Sequence, residues 1–201
     1  MKINNKSSII LLSLTFYFLI NLSGYSQKEP NSNIKFQISI RNISKASENS
    51  LEFDLFLLNL DKNTPLELAL FQAGIRVNPE IYNGGNITAS IVTGSSELIE
   101  AQQPQIVIFS QSENTIKLPS RLMKTPHSTP GSGPRGSIIS SKESGTRICR
   151  IKLDNTQAFK KTKEIFSFSF DKLPYCTSVY QYVNGMNTPM RCNADNCIVK
   201  P

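Results

Sequence analysis

The feature that most constrains this fold is a series of short segments in which apolar and polar residues alternate. Such a period of two is typical of β-strands with one buried face. No stretch longer than about eight residues shows the 3.6-residue period of an amphipathic helix. The strand-like segments cover residues 34–40, 51–60, 66–78, 87–92, 105–109, 115–118, 137–139, 146–153, 165–170 and 177–183.

The connections between these segments are mostly short and rich in turn-forming residues. A parallel crossover needs roughly a dozen residues or more, so short connections favour antiparallel pairing. The sequence therefore predicts an all-β fold, an antiparallel β-sandwich of jelly-roll or immunoglobulin-like type. The longest interruption, residues 119–136, holds four prolines and three glycines and is expected to be an exposed loop.

The N-terminus has the three parts of a secretory signal peptide. Lys2 and Lys6 give a basic start, residues 9–22 are apolar, and Gly24 and Ser26 suit the cleavage site. The apolar run is shorter than the roughly 20 residues of a spanning helix, and no cysteine follows it for lipidation. We therefore expect a chain exported to the periplasm, the cell surface or the medium, without a membrane anchor. The expected organisation is a signal peptide at 1–26, a flexible segment at 27–33, the β-sandwich domain at 34–185 and a cysteine-containing tail at 186–201.

Two stretches, residues 71–98 and 129–156, resemble a β-sandwich module of secreted Gram-negative bacterial proteins. That module is similar to cohesins and to cellulose-binding-type domains, in which a strand F-x-G-L-x-x-N-P is followed by I-L-N-G-G. The resemblance implies a cohesin-like or carbohydrate-binding-module-like sandwich with a binding role, and it leaves structural calcium open. These positions are held here by Phe71, Gly74, Ile75, Asn78, Pro79, Ile81, Asn83, Gly84 and Gly85.

The positive charge of the chain, formally +7, is concentrated in residues 118–163. Arg147, Arg150 and Lys152 lie in a predicted strand, where Arg150 and Lys152 alternate with apolar residues and should face outward. Such a basic strand could attract an anionic polysaccharide, although an ordinary solvated face is the alternative. The region has two acids, Glu143 and Asp154, against ten cations: Arg121, Lys124, Arg135, Lys142, Arg147, Arg150, Lys152, Lys160, Lys161 and Lys163.

Tyr180 and Tyr182 form a second candidate ligand surface, because a strand places them on the same face. Their flat rings could stack on sugars, or they could pack on the fold itself. The sequence contains no tryptophan, which weakens a cellulose-binding platform in particular. A nucleic-acid partner is not expected, because the chain is predicted to be exported and contains no recognised binding motif.

The sequence is poor in catalytic groups, and we predict that the chain is not an enzyme. Its single histidine, His127, lies in the proline-rich loop, and Cys149 sits on an apolar strand face typical of an inert thiol. Glu97 and Glu100 are the nearest acidic pair and are expected to be solvated. The segment 193–196 lacks the spacing of a calcium loop, so no metal or other cofactor is predicted.

Export would permit disulfides, and one is expected among Cys176, Cys192 and Cys197. Taken together, the sequence predicts a non-catalytic exported module that binds carbohydrate or another cell-surface component. The alternative is a structural or adhesin-type surface subunit with a protein partner. The oligomeric state is left open.

Overall fold

The computed structural model describes residues 35–120, 136–171, 175–184 and 186–200. Twelve strands and two single-turn 3-10 helices lie in these ranges, and most of the strands fall where the period-two segments predict them. The strands are β1 (Phe36–Ser47), β2 (Ser50–Asn59), β3 (Leu66–Val77), β4 (Ile87–Ile91), β5 (Ile108–Ser110), β6 (Thr115–Leu118), β7 (Ile138–Ile139), β8 (Thr146–Asn155), β9 (Phe166–Phe168), β10 (Ser178–Val183), β11 (Met186–Met190) and β12 (Cys197–Val199). The 3-10 helices are Pro79–Tyr82 and Glu100–Gln102.

The strands form two sheets, which confirms the predicted β-sandwich. The first sheet has the order β12-β1-β2-β8-β4, and the second has the order β11-β10-β3-β6-β5. Strands β7 and β9 pair with the two ends of the long strand β3. Every pairing is antiparallel except that of β12 with β1, which is parallel.

The two sheets enclose a continuous apolar core. Ile38, Phe53 and Ile151 fill it from the first sheet, and Ile75 and Ile116 fill it from the second. All five side chains are completely buried. Successive side chains of a strand point to opposite faces of the sheet, and residues opposite one another on neighbouring strands share a face. Because these side chains point inward, the residues that alternate with them point outward.

The segment that connects β3 to β4 has the turn geometry that its sequence predicts. Asn78 accepts a hydrogen bond from the backbone N–H of Glu80 at 3.0 Å and caps the 3-10 helix that starts at Pro79. Asn83 and Gly84 then adopt positive φ angles of 51° and 78°, which asparagine and glycine tolerate best. This turn reverses the chain between the second sheet and the first.

The C-terminal residues correct the expected boundary at residue 185. Strand β11 extends the second sheet beside β10, and β12 extends the first sheet beside β1. The expected tail is therefore part of the sandwich, which runs to Val199. The sequence pattern did not predict β11 and β12, because both strands are short and lack alternation and because Pro189 lies inside β11.

Several expectations lie outside the described residues. They are the signal peptide at 1–26, the segment 27–33, and the part of the proline-rich loop that holds His127. In the ranges that the structure describes, no helix combines the length and the apolar character needed to cross a bilayer.

Candidate functional site

Strand β8 presents the predicted basic side chains on the outer face of the first sheet. Cys149, Ile151 and Leu153 point into the core, so the predicted facing of this strand is confirmed. Strand β2, however, lies beside β8 in a register that places Asp54 opposite Arg150 and Glu52 opposite Lys152. Arg150 and Lys152 therefore each face an acidic side chain of the neighbouring strand, whereas Arg147 lies opposite Phe56.

Asp54 is the centre of this arrangement. Its carboxylate is fully buried and accepts hydrogen bonds from Nε and Nη2 of Arg150 at 2.8 and 2.9 Å. The side-chain amide of Asn42 donates a third bond at 2.7 Å. Nη1 of Arg147 lies 4.0 Å from the same carboxylate. The two-pronged contact with Arg150 is the geometry in which arginine binds carboxylates most strongly.

The pKa of Asp54 reflects two opposing influences. Burial raises the pKa of the carboxyl, but the hydrogen bonds from Arg150 and Asn42 and the charges of Arg150 and Arg147 outweigh it, so the pKa lies below its usual value. The hydrogen bond to Asp54 also raises the pKa of Arg150, although burial opposes this. Both groups are therefore charged at neutral pH and neutralise each other.

The other two predicted cations of this strand are also engaged within the chain. Nε of Arg147 donates to the backbone oxygen of Ser95 at 2.6 Å. The ammonium group of Lys152 lies 3.0 Å from the Asp154 carboxylate. An anionic ligand would have to compete with these internal partners, which the sequence alone does not show.

The basic region 118–163 is not one patch within the described residues. Lys142 precedes β8, whereas Lys160 and Lys161 follow it, at the other end of the strand. Lys45 reaches the same end from β1 and donates to the backbone oxygen of Phe159 at 2.9 Å. We refer to Lys45, Lys160 and Lys161 as the lysine end. Arg121, Lys124 and Arg135 lie outside the described residues.

The outer face of the second sheet has a different character. Tyr180 and Tyr182 both point outward and are half-buried, so the prediction that they share a face is confirmed. Tyr180 lies between Leu70 of β3 and Pro189 of β11. We call this surface, formed by Leu70, Tyr180, Tyr182, Asn187 and Pro189, the tyrosine face. Strands β10 and β11 contain no charged residue.

The hairpin that joins β10 to β11 carries two exposed apolar side chains. Val183 and Met186 are cross-strand neighbours, one residue beyond the pair formed by Tyr182 and Asn187, so they point to the opposite face from the two tyrosines. Their side chains are 37% and 63% exposed. The alternation of the strand sequence singles out neither residue. The signal that could have found them is the run of apolar and uncharged residues that continues past Tyr182 into the next strand.

All four cysteines are free in the structure, so the expected disulfide is not formed there. Cys149 is completely buried, and burial raises the pKa of its thiol to about 12. The Cys192 thiol donates to the backbone oxygen of Met190 at 3.9 Å, and the Cys197 thiol donates to Oδ1 of Asn196 at 3.3 Å. The interaction between the two thiols lowers the pKa of Cys192 and raises that of Cys197. Cys176 instead lies near Gln72 and Ser178.

The described residues bring no catalytic constellation together at the predicted acids. Glu97 accepts a hydrogen bond from the backbone N–H of Arg147 at 2.8 Å, so it holds a strand connection in place. In the segment 193–196, Asn193 accepts from the backbone N–H groups of Asp195 and Asn196. No cluster of metal-ligating side chains occurs in the part of the chain that the structure describes.

Comparison with known proteins gives structural matches only. No family model matches the sequence, and no curated protein matches it. The second type II cohesin module of the cellulosomal adaptor scaffoldin ScaA of Acetivibrio cellulolyticus is 13% identical, with a TM-score of 0.47. The match covers 83% of this chain and 92% of that chain. A further structure of that module, with its long C-terminal linker, is 11% identical, with a TM-score of 0.47 and coverage of 84% and 87%.

A third match is a chain of a type II cohesin–X-dockerin complex from the same organism, which carries an N-terminal interface mutation. It is 11% identical, with a TM-score of 0.47, and the match covers 83% of this chain and 95% of that chain. By its own strand pairings the present chain is a two-layer β-sandwich, and these cohesin modules are structures to which it is similar.

Proposed function

We propose that this chain is a non-catalytic, exported binding module that docks a protein partner through its tyrosine face. The observation that carries the proposal is the chemistry of this surface. Two half-buried tyrosines and a proline lie on β10 and β11, which contain no charged residue, and Leu70 of β3 lies beside Tyr180. The centres of protein interfaces are enriched in aromatic residues and depleted of charge, a composition that these two strands share.

The residues around the tyrosines favour a protein over a glycan. Sugar rings stack on tyrosine, but their hydroxyl groups also need directional hydrogen-bond partners. Here the two cross-strand neighbours of Tyr180, Leu70 and Pro189, have apolar side chains that offer none. A partner that covers them with apolar side chains would gain the free energy of burial.

The first sheet offers less support for an anionic polysaccharide. Arg150 and Lys152 are paired with Asp54 and Asp154, and an arriving anion would have to replace bonds that already exist. Export is part of the proposal because of the N-terminal sequence pattern. One of the matched structures is a cohesin–X-dockerin complex. The proposal for this chain rests on its own surface chemistry.

The experiment compares the purified chain with a double variant, Tyr180→Ser and Tyr182→Ser, and with a control, Lys142→Gln. Each is immobilised and incubated with the cell-surface and secreted proteins of the producing organism. We expect one polypeptide to be enriched equally by the wild type and the control and to be lost from the double variant. When this polypeptide is purified, calorimetry should show that it binds the wild type and the control but not the double variant.

A glycan array, run in parallel, tests the competing function. Binding of a neutral glycan that disappears in the tyrosine variant would replace the protein-binding proposal with a carbohydrate-binding one. Enrichment that is equal for all three chains would contradict the assignment of the tyrosine face. Matching circular dichroism spectra would confirm that the double variant is folded.

A further inference from the structure

A second surface of the molecule, far in sequence from the tyrosine face, combines an apolar cavity with positive charge. The cavity has a volume of about 260 Å³ and lies where the end of β1, the start of β2, the first 3-10 helix and the β8–β9 connection meet. Its apolar walls are Ile43, Leu51, Ile81, Phe159 and Ile165. Leu51, Ile81 and Phe159 are themselves buried, so the cavity opens directly onto the core.

The charged side chains that line this cavity are all lysines. They are the three residues of the lysine end, Lys45, Lys160 and Lys161, and no acidic residue lines the cavity. Ser44 and Thr162 add hydroxyl groups. Within the described part of the chain, none of the three lysines has an ion pair, in contrast to Arg150 and Lys152 on β8.

The lysines are brought together by the fold rather than by sequence alone. Lys45 is fixed by its bond to the Phe159 backbone oxygen, and the backbone N–H of Lys160 donates to Ile81 at 3.1 Å. The nearest acids along the chain, Glu48 and Glu164, are exposed and do not line the cavity. The positive charges of the lysine end repel one another at the opening of the cavity, and an anion bound between them would reduce that repulsion.

We propose that this cavity binds a free, single-chain carboxylate, with the alkyl chain in the apolar cavity and the carboxylate at the lysine end. A small inorganic anion would leave the walls unfilled, and a neutral alkyl compound would leave the lysines unpaired. The cavity volume of about 260 Å³ is many times what a single water molecule requires, so an alkyl chain of several carbons can enter it. This matches a medium-chain carboxylate such as octanoate. The inference is independent of the tyrosine face and stands whether or not a protein docks there.

The test is calorimetric titration of the full chain with sodium octanoate at low salt. Octan-1-ol serves as the ligand without charge, and sodium acetate as the ligand without a chain. We expect one octanoate per chain, with octanol and acetate binding at least tenfold more weakly. The double variant Lys160→Gln and Lys161→Gln should weaken octanoate binding about tenfold, since two exposed ion pairs are lost.

Two further variants distinguish the contribution of the apolar cavity to octanoate binding from that of positive charge in general. Ile43→Trp places a large side chain in the wall and should abolish octanoate binding, whereas Lys142→Gln, at the other end of β8, should leave it unchanged. Equal binding of octanoate and octanol, or unchanged binding in the double lysine variant, would overturn the proposal. So would retention of binding in a folded Ile43→Trp chain. Because none of these variants touches Tyr180 or Tyr182, their outcome does not affect the test of the protein-binding proposal.

Discussion

Replacement of Arg150 by methionine tests whether the buried carboxylate of Asp54 depends on its partner. Methionine keeps most of the length of the arginine stem but removes the guanidinium group. Asp54 would keep only the hydrogen bond from Asn42 and the distant charge of Arg147, 4.0 Å away. A fully buried carboxylate would then be left with most of its hydrogen-bonding capacity unused.

The expected loss can be worked out from the burial of the two partners. Breaking a buried ion pair by removing one member costs about 3–5 kcal/mol. The Arg150 side chain is 35% exposed, so water can approach the site and the loss should lie at or just below the lower end, about 2–3 kcal/mol. For a domain of this size that corresponds to a fall in Tm of about 4–12 °C.

The assay is urea unfolding at pH 7, with Lys152→Met as the matched control. Lys152 lies on the same face of β8 and pairs with the half-exposed Asp154, so its loss should cost less than about 1 kcal/mol. Equal effects of the two substitutions would refute the reasoning, because they would show that burial of Asp54 does not matter. A larger effect of Arg150→Met that vanishes when Asp54 is also replaced by asparagine would confirm it.

The same pair predicts how stability depends on pH. The pKa of Asp54 is lowered in the folded chain, so its contribution is present above the usual value of 3.8 and is lost as the pH falls through the folded pKa. Phe53→Ala should cost about 3–5 kcal/mol in the same urea assay, since the ring is completely buried and packs 4.4 Å from that of Phe166. Cys149 should resist alkylation by iodoacetamide at pH 8 until the chain is unfolded, and modification of the native chain would contradict its burial. Mild oxidation with glutathione disulfide should link Cys192 to Cys197, because the two thiols are near enough to shift each other's pKa, and a peptide map would detect any other pairing.

Much of the fold follows from the sequence because alternation reports burial directly. In β8, Cys149, Ile151 and Leu153 face the core and Arg150 and Lys152 face outward, as the period of two requires. The parallel strand β12 could not be predicted in this way. It has three residues, and its pairing with β1 joins segments about 160 positions apart, which no local pattern encodes.

The environment of the basic residues on β8 was harder to predict, because the order of charges along the chain does not show which charges lie side by side across the sheet. Residues 118–163 are strongly basic, but Glu52 and Asp54 of β2 lie directly opposite Lys152 and Arg150. The signal was present: acidic residues alternate in β2 with the same period as basic residues in β8. Only the strand order reveals that the two sets meet and neutralise each other.

The shared facing of Tyr180 and Tyr182 could be predicted, since residues two apart share a face in any regular strand. What the sequence could not show is which side chains surround them. Leu70 comes from β3, and Asn187 and Pro189 come from β11. These neighbours change the interpretation from sugar stacking toward protein contact.

The most direct test of a protein partner on the tyrosine face is photo-crosslinking in the producing organism. A benzophenone amino acid is placed at Tyr182 in one variant and at Lys152, on the outer face of the first sheet, in another. The proposed function predicts a covalent adduct with one polypeptide from position 182 and none from position 152. An adduct from position 152 with no adduct from position 182 would contradict it.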